Sequence, residues 1–378
     1  MTTYIWQRQD WKEGDFPAFQ WDSDALRPQL ERITLQQGRL LGKAESVPEG
    51  EQEAQLDALI QTALRTSEIE GEMLNVGSVR SSVVRHLGLD RAGVASGRAP
   101  ETPQSRALVQ LLVEATANHQ NKMDLPTLCQ WQAALFPVPP VLNDIHIGSL
   151  RGDAFMQVLS GPIGKPVVHF EAPPREGLEN EIERFFAWFN CPPGELNGFL
   201  RAGVAHLWLL TLHPFDDGNG RVTRAVTDRA LAQSENNSAR YYSLSAAIMA
   251  RRAEYYEQLE AAQKGTLDIT DWLCWFLSVL DDAIAAGSQR FQRVIEKTRF
   301  WHAHGQTALS ERQIKVLNRL LDTQGDEFKL GINASKYMAL AKVSKATATR
   351  DLAELVNKHC LVKLSGGGRS TRYVLPDT

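Results

Sequence analysis

From Thr211 to Arg224 the chain reads TLHPFDDGNGRVTR, and the residue types in that stretch could act together on a phosphate ester. A Gly218-Asn219-Gly220 turn stands where a helix should begin. The first turn of a helix carries unbonded N–H groups and a partial positive charge, and glycines put no Cβ in front of them, so an anion can settle there. Arg221 and Arg224, three residues apart, share a helix face and offer two planar, permanently charged forks, a match for successive phosphates rather than for one. Asp217 can place a carboxylate on a magnesium ion that bridges phosphate oxygens. His213, with an ordinary imidazole pKa of about 6.5, can accept a proton near pH 7. Each has a plainer reading alone: a turn, a helix-end histidine on a carbonyl, a solvated basic face. No structural need asks for all of them at this spacing.

The elements that must position these groups are mostly helical. Apolar periodicity predicts helices at Asp24–Leu41, from Glu51 to about Glu72, and at Ser105–His119, Asp124–Leu135, Glu176–Phe189, Asn197–Leu212, Arg221–Ser234 and Asp268–Ala286. Polar residues near Ser46–Gly50 read as a loop, and the Gly/Ala/Pro-rich Asp90–Thr102 as a connection. Two apolar runs around SGPIGKP, within Gly152–Pro174, read as a β-hairpin. Trp6, Trp11, Phe16, Phe19 and Trp21 should pin an irregular N-terminal segment to a core. On the helix from Glu51, Leu56, Leu59, Ile60, Ala63 and Leu64 mark an apolar face, and Glu70 falls on it, an odd place for a carboxylate. After Trp301 the texture changes. Helices at Ser310–Leu321, Ala334–Ala341 and Ser344–Lys358, followed by a glycine-tipped hairpin, read as a winged helix-turn-helix with Ser344 capping the recognition helix. That tail is locally basic, and Lys345, Thr347, Thr349, Arg350 and Arg369 are its candidate DNA contacts, with docking of a protein the other use open to such a module.

With 378 residues, 43% apolar and 23% charged, the chain is sized for two or three globular domains. We expect residues 1–98 as an N-terminal helical region, 99–298 as a catalytic core and 299–378 as the winged helix. A net charge of −4 argues against a general nucleic-acid or membrane coat. No long apolar run or signal-peptide pattern occurs, so a cytoplasmic protein is expected. Cys129, Cys191, Cys274 and Cys360 lie far apart and read as free buried thiols.

Residues His213 to Arg224 match H-P-F-x-[D/E]-G-N-G-R-x-x-R throughout, and on that motif the chain resembles the Fic family over about residues 100–290. The resemblance implies a mainly α fold, a Fic-type helical core with a β-hairpin flap, and transfer of AMP from ATP with Mg2+ to Ser, Thr or Tyr hydroxyls of proteins, the chain itself among them. It implies His213 as the base, Asp217 as the magnesium ligand, and Gly218, Asn219, Gly220, Arg221 and Arg224 as the phosphate site. Gln157, Val158, Leu159 and Ser160 resemble the flap that holds a target backbone as an added strand. A plain structural hairpin is the other reading. Tyr255 and Tyr256 resemble a segment beside the nucleotide, Tyr256 being the candidate ATP contact, with buried packing the other role open to both; Arg251 stands where an Asn is common. TSEIEG, Thr66 to Gly71, matches an inhibitory pattern, [S/T]-x-x-x-E-[G/N]. In it Glu70 would pair with Arg224 and spoil ATP binding. The resemblance also implies a homodimer. Two other readings stay open: a DNA-binding regulator whose core senses nucleotide, and an enzyme that removes AMP or transfers a different phosphate-containing group.

Overall fold

The computed structural model describes residues 3–14, 16–89, 99–138, 145–161, 165–192, 194, 196–322, 328, 331–365 and 371–376. They fall into two compact units, Met1–Lys43 with Ala54–Ser288, and Ala44–Glu53 with Gln289–Thr378. In chain order the helices are α1 (Gln9–Lys12), α2 (Ser23–Ser46), α3 (Pro48–Ile69), α4 (Val76–His86), α5 (Pro103–Ala117), α6 (Leu125–Ala134), α7 (Leu178–Asn190), α8 (Gly198–Leu212), α9 (Asn219–Glu235), α10 (Leu244–Ala250), α11 (Arg252–Gln263), α12 (Thr270–His304), α13 (Glu311–Asp322), α14 (Ala334–Ala341) and α15 (Lys345–Asn357). The strands are β1 (Gln157–Ser160), β2 (Val167–Glu171), β3 (Val362–Lys363) and β4 (Tyr373–Val374), forming two separate antiparallel pairs. The fold is mainly α, as the sequence predicts.

The first unit is built around α8 and α9. Every residue of α8 from Phe199 to Leu212 except Arg201 is buried, so this helix is apolar all round and central. Trp208 at its middle meets Trp11, Phe19, Phe185 and Trp188 at ring-centroid distances of 6.5, 6.3, 5.3 and 5.5 Å. This aromatic cluster is what fixes the N-terminal segment, which adopts a short 3-10 turn at Ile5–Gln7 and then α1. Buried His206 joins α8 to two neighbours: Tyr255 OH donates to Nε2 at 2.9 Å, and Nδ1–H donates to Thr227 Oγ1 at 2.9 Å. Thr227 in turn donates to Thr223 O, so the chain of donors is complete with a neutral ring. Burial, with Arg224 nearby, pushes His206 down to about 3.

Several boundaries differ from expectation. The loop at Ser46–Gly50 shrinks to Val47, because Val47 N bonds Ala44 O, Gly50 N bonds Val47 O, and Pro48 opens the next helix where its missing N–H costs nothing. Helix α3 stops at Ile69, so Glu70 lies just past its end rather than on its apolar face. Helix α12 runs to His304, well beyond Ala286. Most of the Asp90–Thr102 connection lies outside the described residues. Of the cysteines, Cys360 is buried, Cys129 and Cys274 are half-buried, and Cys191 is exposed, so burial of all four does not hold.

In the second unit, Val316, Leu317, Tyr337, Leu352 and Leu355 from α13, α14 and α15 share one core. Asp351 is fully buried within it, accepting from Arg312 Nε at 2.6 Å and Tyr337 OH at 3.1 Å. Ser344 Oγ accepts from Thr347 N and caps α15. Strands β3 and β4 follow, and Tyr373 also bridges to Ile332.

Replacing Trp208 by Ala would leave a cavity where four aromatic rings converge, a change expected to lower stability by about 3–5 kcal/mol. Urea unfolding monitored by circular dichroism measures it; a loss below about 1 kcal/mol would mean that this cluster does not hold α8.

Candidate active site

His213 follows α8 directly, with φ 49° and ψ 59°. Buried Arg151 supports this left-handed turn: its Nε donates to His213 O at 2.9 Å, its Nη2 to Pro173 O at 2.6 Å, and its backbone N to Pro214 O at 3.0 Å. The ring Nδ1 lies 3.2 Å from Leu210 O. A carbonyl only accepts, so Nδ1 carries the hydrogen and Nε2 keeps its lone pair. Burial dominates the pKa and lowers it to about 4, with the Leu210 carbonyl opposing and Arg151 adding to the fall. His213 is therefore a neutral acceptor at pH 7.

The loop after it is closed by Asn219, whose Oδ1 accepts from Phe215 N at 2.9 Å and whose Nδ2 donates to Phe215 O at 2.7 Å. The side chain expected to meet an α-phosphate is thus engaged with the loop backbone. Asp216 receives His146 N and Nδ1 at 2.8 and 2.7 Å, a structural role. Asp217 is more than half exposed, and its Oδ1 accepts from Gly218 N at 2.5 Å. The same oxygen lies 3.6 Å from Arg221 Nη2, and an exposed carboxylate of this kind fits a hard cation that draws its remaining ligands from phosphate and water.

Gly218, with φ 89°, caps α9, and the first amide bonded back to the cap is Val222 N to Gly218 O at 3.0 Å. The amides before it have no carbonyl a turn behind them. A Cβ on Gly220 would overlap Glu70 Oε1 and come within 3.1 Å of Arg224 Nη1, so this glycine is what lets a carboxylate approach the start of α9. Glu70 Oε1 accepts from Arg224 Nη2 at 2.7 Å. Thr66 holds the same guanidinium, Oγ1 accepting from Nε at 2.7 Å and the carbonyl from Nη2 at 2.9 Å. Burial pulls the Arg224 pKa down, but Glu70 and the Tyr255 hydroxyl outweigh it and the net direction is up. Arg224 Nη1 is buried without a hydrogen-bond partner among the described residues. It faces the space above Gly220.

The carboxylate is aimed by the end of α3. Gly71, φ 84°, adopts the left-handed conformation, Glu72 N bonds Ser67 O at 2.9 Å and Gly71 N bonds Glu68 O at 3.0 Å, a Schellman cap. It also sends Glu72 to Arg221, Oε2 accepting from Nη1 at 2.8 Å. Arg252 Nε and Tyr256 OH both donate to Ile69 O, at 2.9 and 3.1 Å. Sequence reading missed Glu72, Arg151, His206 and Arg252.

Glu70, His213 and Gly220 line a cavity of about 470 Å³ with Leu210, Leu259 and Tyr256 on one side and Val158, Leu159 and Ser160 of the hairpin on the other. Tyr255 is buried packing, but Tyr256 is 39% exposed at the cavity wall, so the packing reading holds for only one of the pair. Arg251 caps α10 and pairs with Glu254, Ser278 and Asp282. Gln157 pairs opposite Glu171 at the far end of the hairpin. On α15, Lys345, Thr349 and Arg350 are exposed and Thr347 is half-buried at the cap; Arg369 and the hairpin tip lie outside the described residues. No helix of the described residues is long and apolar enough to cross a membrane.

Comparison with known proteins gives matches to the Fic/DOC family over residues 122–231 and to a domain of unknown function (DUF4172) over residues 4–89. A protein adenylyltransferase Fic of Culex quinquefasciatus is 25% identical over 229 residues, covering 60% of this chain and 41% of that protein. One from Aedes aegypti is 25% identical over 216 residues, covering 57% and 39%. The chain thus spans about two fifths of the length of these relatives. Among solved structures, a Fic family protein from Desulfovibrio desulfuricans superposes with a TM-score of 0.51 at 17% identity, over 93% of this chain and 97% of that one. A Fic domain containing signaling protein from Bacteroides thetaiotaomicron gives 0.50 at 14%, over 70% and 97%. The complete motif, the helical fold around it and these matches agree: residues 122–231 of the chain form a Fic/DOC domain.

Proposed function

We propose that this chain is a protein adenylyltransferase that moves AMP from ATP to a protein hydroxyl and is held off by its own Glu70. The observation that carries the reading is the carboxylate already seated above Gly220 against Arg224, beside an unpartnered guanidinium nitrogen. A position that stabilises one anion at a helix start suits another, and the polyphosphate of ATP is the guest that two arginines fit. The start of α9 and Arg221 bind phosphate oxygens, and Arg224 takes the outermost group. Asp217 would hold Mg2+, which supplies charge neutralisation between phosphates. The target hydroxyl attacks the α-phosphorus in line and gives its proton to His213 Nε2 while pyrophosphate departs. The names of the Culex and Aedes relatives support this chemistry, and the flap supports a protein acceptor, since a two-stranded hairpin leaves edges to which a target strand can add. Glu72 on Arg221 is a second obstruction at the same site.

In this reading the second unit is a winged helix-turn-helix, and the exposed Lys345 and Arg350 on α15 favour duplex DNA as its partner.

Incubation with α-labelled ATP, Mg2+ and a cell lysate tests the main reading. Labelling of lysate proteins is expected to rise at least about tenfold for Glu70→Gly, because a charge-assisted hydrogen bond is worth roughly 1.5–3 kcal/mol. A smaller rise is expected for Glu72→Ala, and adding His213→Ala to Glu70→Gly should abolish transfer. Equal labelling by the native chain and Glu70→Gly would remove the inhibitory role; signal from γ-labelled ATP instead would make the chain a kinase. Transfer by Glu70→Gly should also stay level from about pH 8 to about pH 5 and fall about tenfold per unit below about 4, where His213 gains a proton. Loss of the Glu70 anion lowers that break further, so a break near 6.5 would contradict the buried neutral base. For the second unit, the native chain should retard duplex DNA at low salt and release it as salt rises, with Lys345→Ala weakening the shift; no shift at any salt would reject DNA as the partner.

A further inference from the structure

The flap holds a second set of chemically active side chains that the transfer described above does not use. The register of β1 and β2 slips between Val158 and Leu159, which pair with Phe170 and Val168 and leave His169 as the extra residue of a bulge. Bulges re-aim side chains. Here the ring reaches both ways: Nε2 lies 2.5 Å from Ser160 Oγ, and Nδ1 lies 2.7 Å from Glu260 Oε2 on α11. A carboxylate only accepts, so Nδ1–H donates to Glu260 and Nε2 is left to accept from the Ser160 hydroxyl. Lys264 Nζ fixes the other oxygen of Glu260 at 2.5 Å. Hydroxyl, imidazole and carboxylate in that order are the arrangement that activates a serine oxygen. All three line the same cavity as His213 and Gly220.

We propose that Ser160 is a site of self-adenylylation, with His169 as its own base and Glu260 as the residue that positions that base. This rests on the adenylyltransferase reading. The Ser160 Oγ–Pα bond forms, the Pα–O bond to the β-phosphate breaks, pyrophosphate leaves with the electron pair, and the hydroxyl proton passes to His169 Nε2. The product carries a nucleotide on the strand to which a target would add, so the modification blocks the flap.

Glu70→Gly protein is incubated with ATP, Mg2+ and lysate, and its own peptides and the lysate proteins are mapped by mass spectrometry. An adenylyl group on Ser160 is expected. In Glu70→Gly/His169→Ala it should fall at least about tenfold, and added imidazole should restore part of it, which a merely structural role would not allow. An unmodified Ser160 beside labelled lysate proteins overturns this inference alone, as does modification that His169→Ala leaves unchanged. Absence of adenylylation on every protein overturns both it and the function on which it rests.

Discussion

A guanidinium keeps its charge at any physiological pH, and at Arg224 it keeps it with 1% of the side chain exposed. Water cannot neutralise such a group, and an unpaired buried charge costs several kcal/mol. The surroundings answer in parts. Thr66 takes Nε and one hydrogen of Nη2, Glu70 takes the charge, and Nη1 is left over the glycine floor. An anion at this corner answers that demand, and here it is Glu70. In the proposed function, inhibition and phosphate binding would be two ways of meeting the same electrostatic demand, so that one residue could block the site without distorting it.

That demand is placed by packing. Helices α8 and α9 are buried along most of their lengths, and the His206 hydrogen bonds to Thr227 and Tyr255 tie α9 and α11 to the same centre. His213 and the start of α9 consequently ride on adjacent ends of two buried helices, with Arg151 bracing the turn between them. The groups set against that frame come from beyond the end of α3, where Glu70 and Glu72 stand, and from a hairpin whose strands are paired only with each other.

What the sequence made legible is what lies close along the chain. His213, Asp217, Gly218, Gly220, Arg221 and Arg224 are local, and a helix start converts their spacing directly into geometry. The helices are legible because α8, α9 and α13 carry strong apolar patterning, and Asp124, Asn197 and Ser344 cap where such residues usually cap. Arg151 and His206 were hidden because their partners sit 62 and 49 residues away and nothing local marks either as more than a basic residue near a loop or a histidine in an apolar helix. Glu72 was readable in principle. A glycine after Glu70 announces a left-handed cap, and that cap turns the next side chain back across the helix end towards the arginines. Tyr255 and Tyr256 part because neighbours on a helix point about 100° apart, so one packs in the core and the other is exposed at the cavity, a split that adjacent identical residues do not announce.

The anchors of the segment proposed to inhibit divide into two kinds. Thr66 and the Ile69 carbonyl dock α3 through hydrogen bonds from Arg224, Arg252 and Tyr256, and none of these needs a carboxylate. Glu70 and Glu72 supply charge, and in the proposed function these are the contacts of the segment that would compete with phosphates for Arg224 and Arg221. In the proposed function a nucleotide would displace the second kind by rotation of two side chains while the first kind stays in place, so relief would not require the helix to leave. The nucleotide shifts the balance only by the difference between its affinities for the two side-chain arrangements, and a shift from 1:99 to 99:1 needs a ratio of about 10⁴. Arg252 and Tyr256 grip α3 and flank the cavity at the same time. A molecule that engages those two residues therefore acts on the docking of α3 as well as on the occupancy of the site, and so reaches the one set of contacts that phosphate competition leaves untouched.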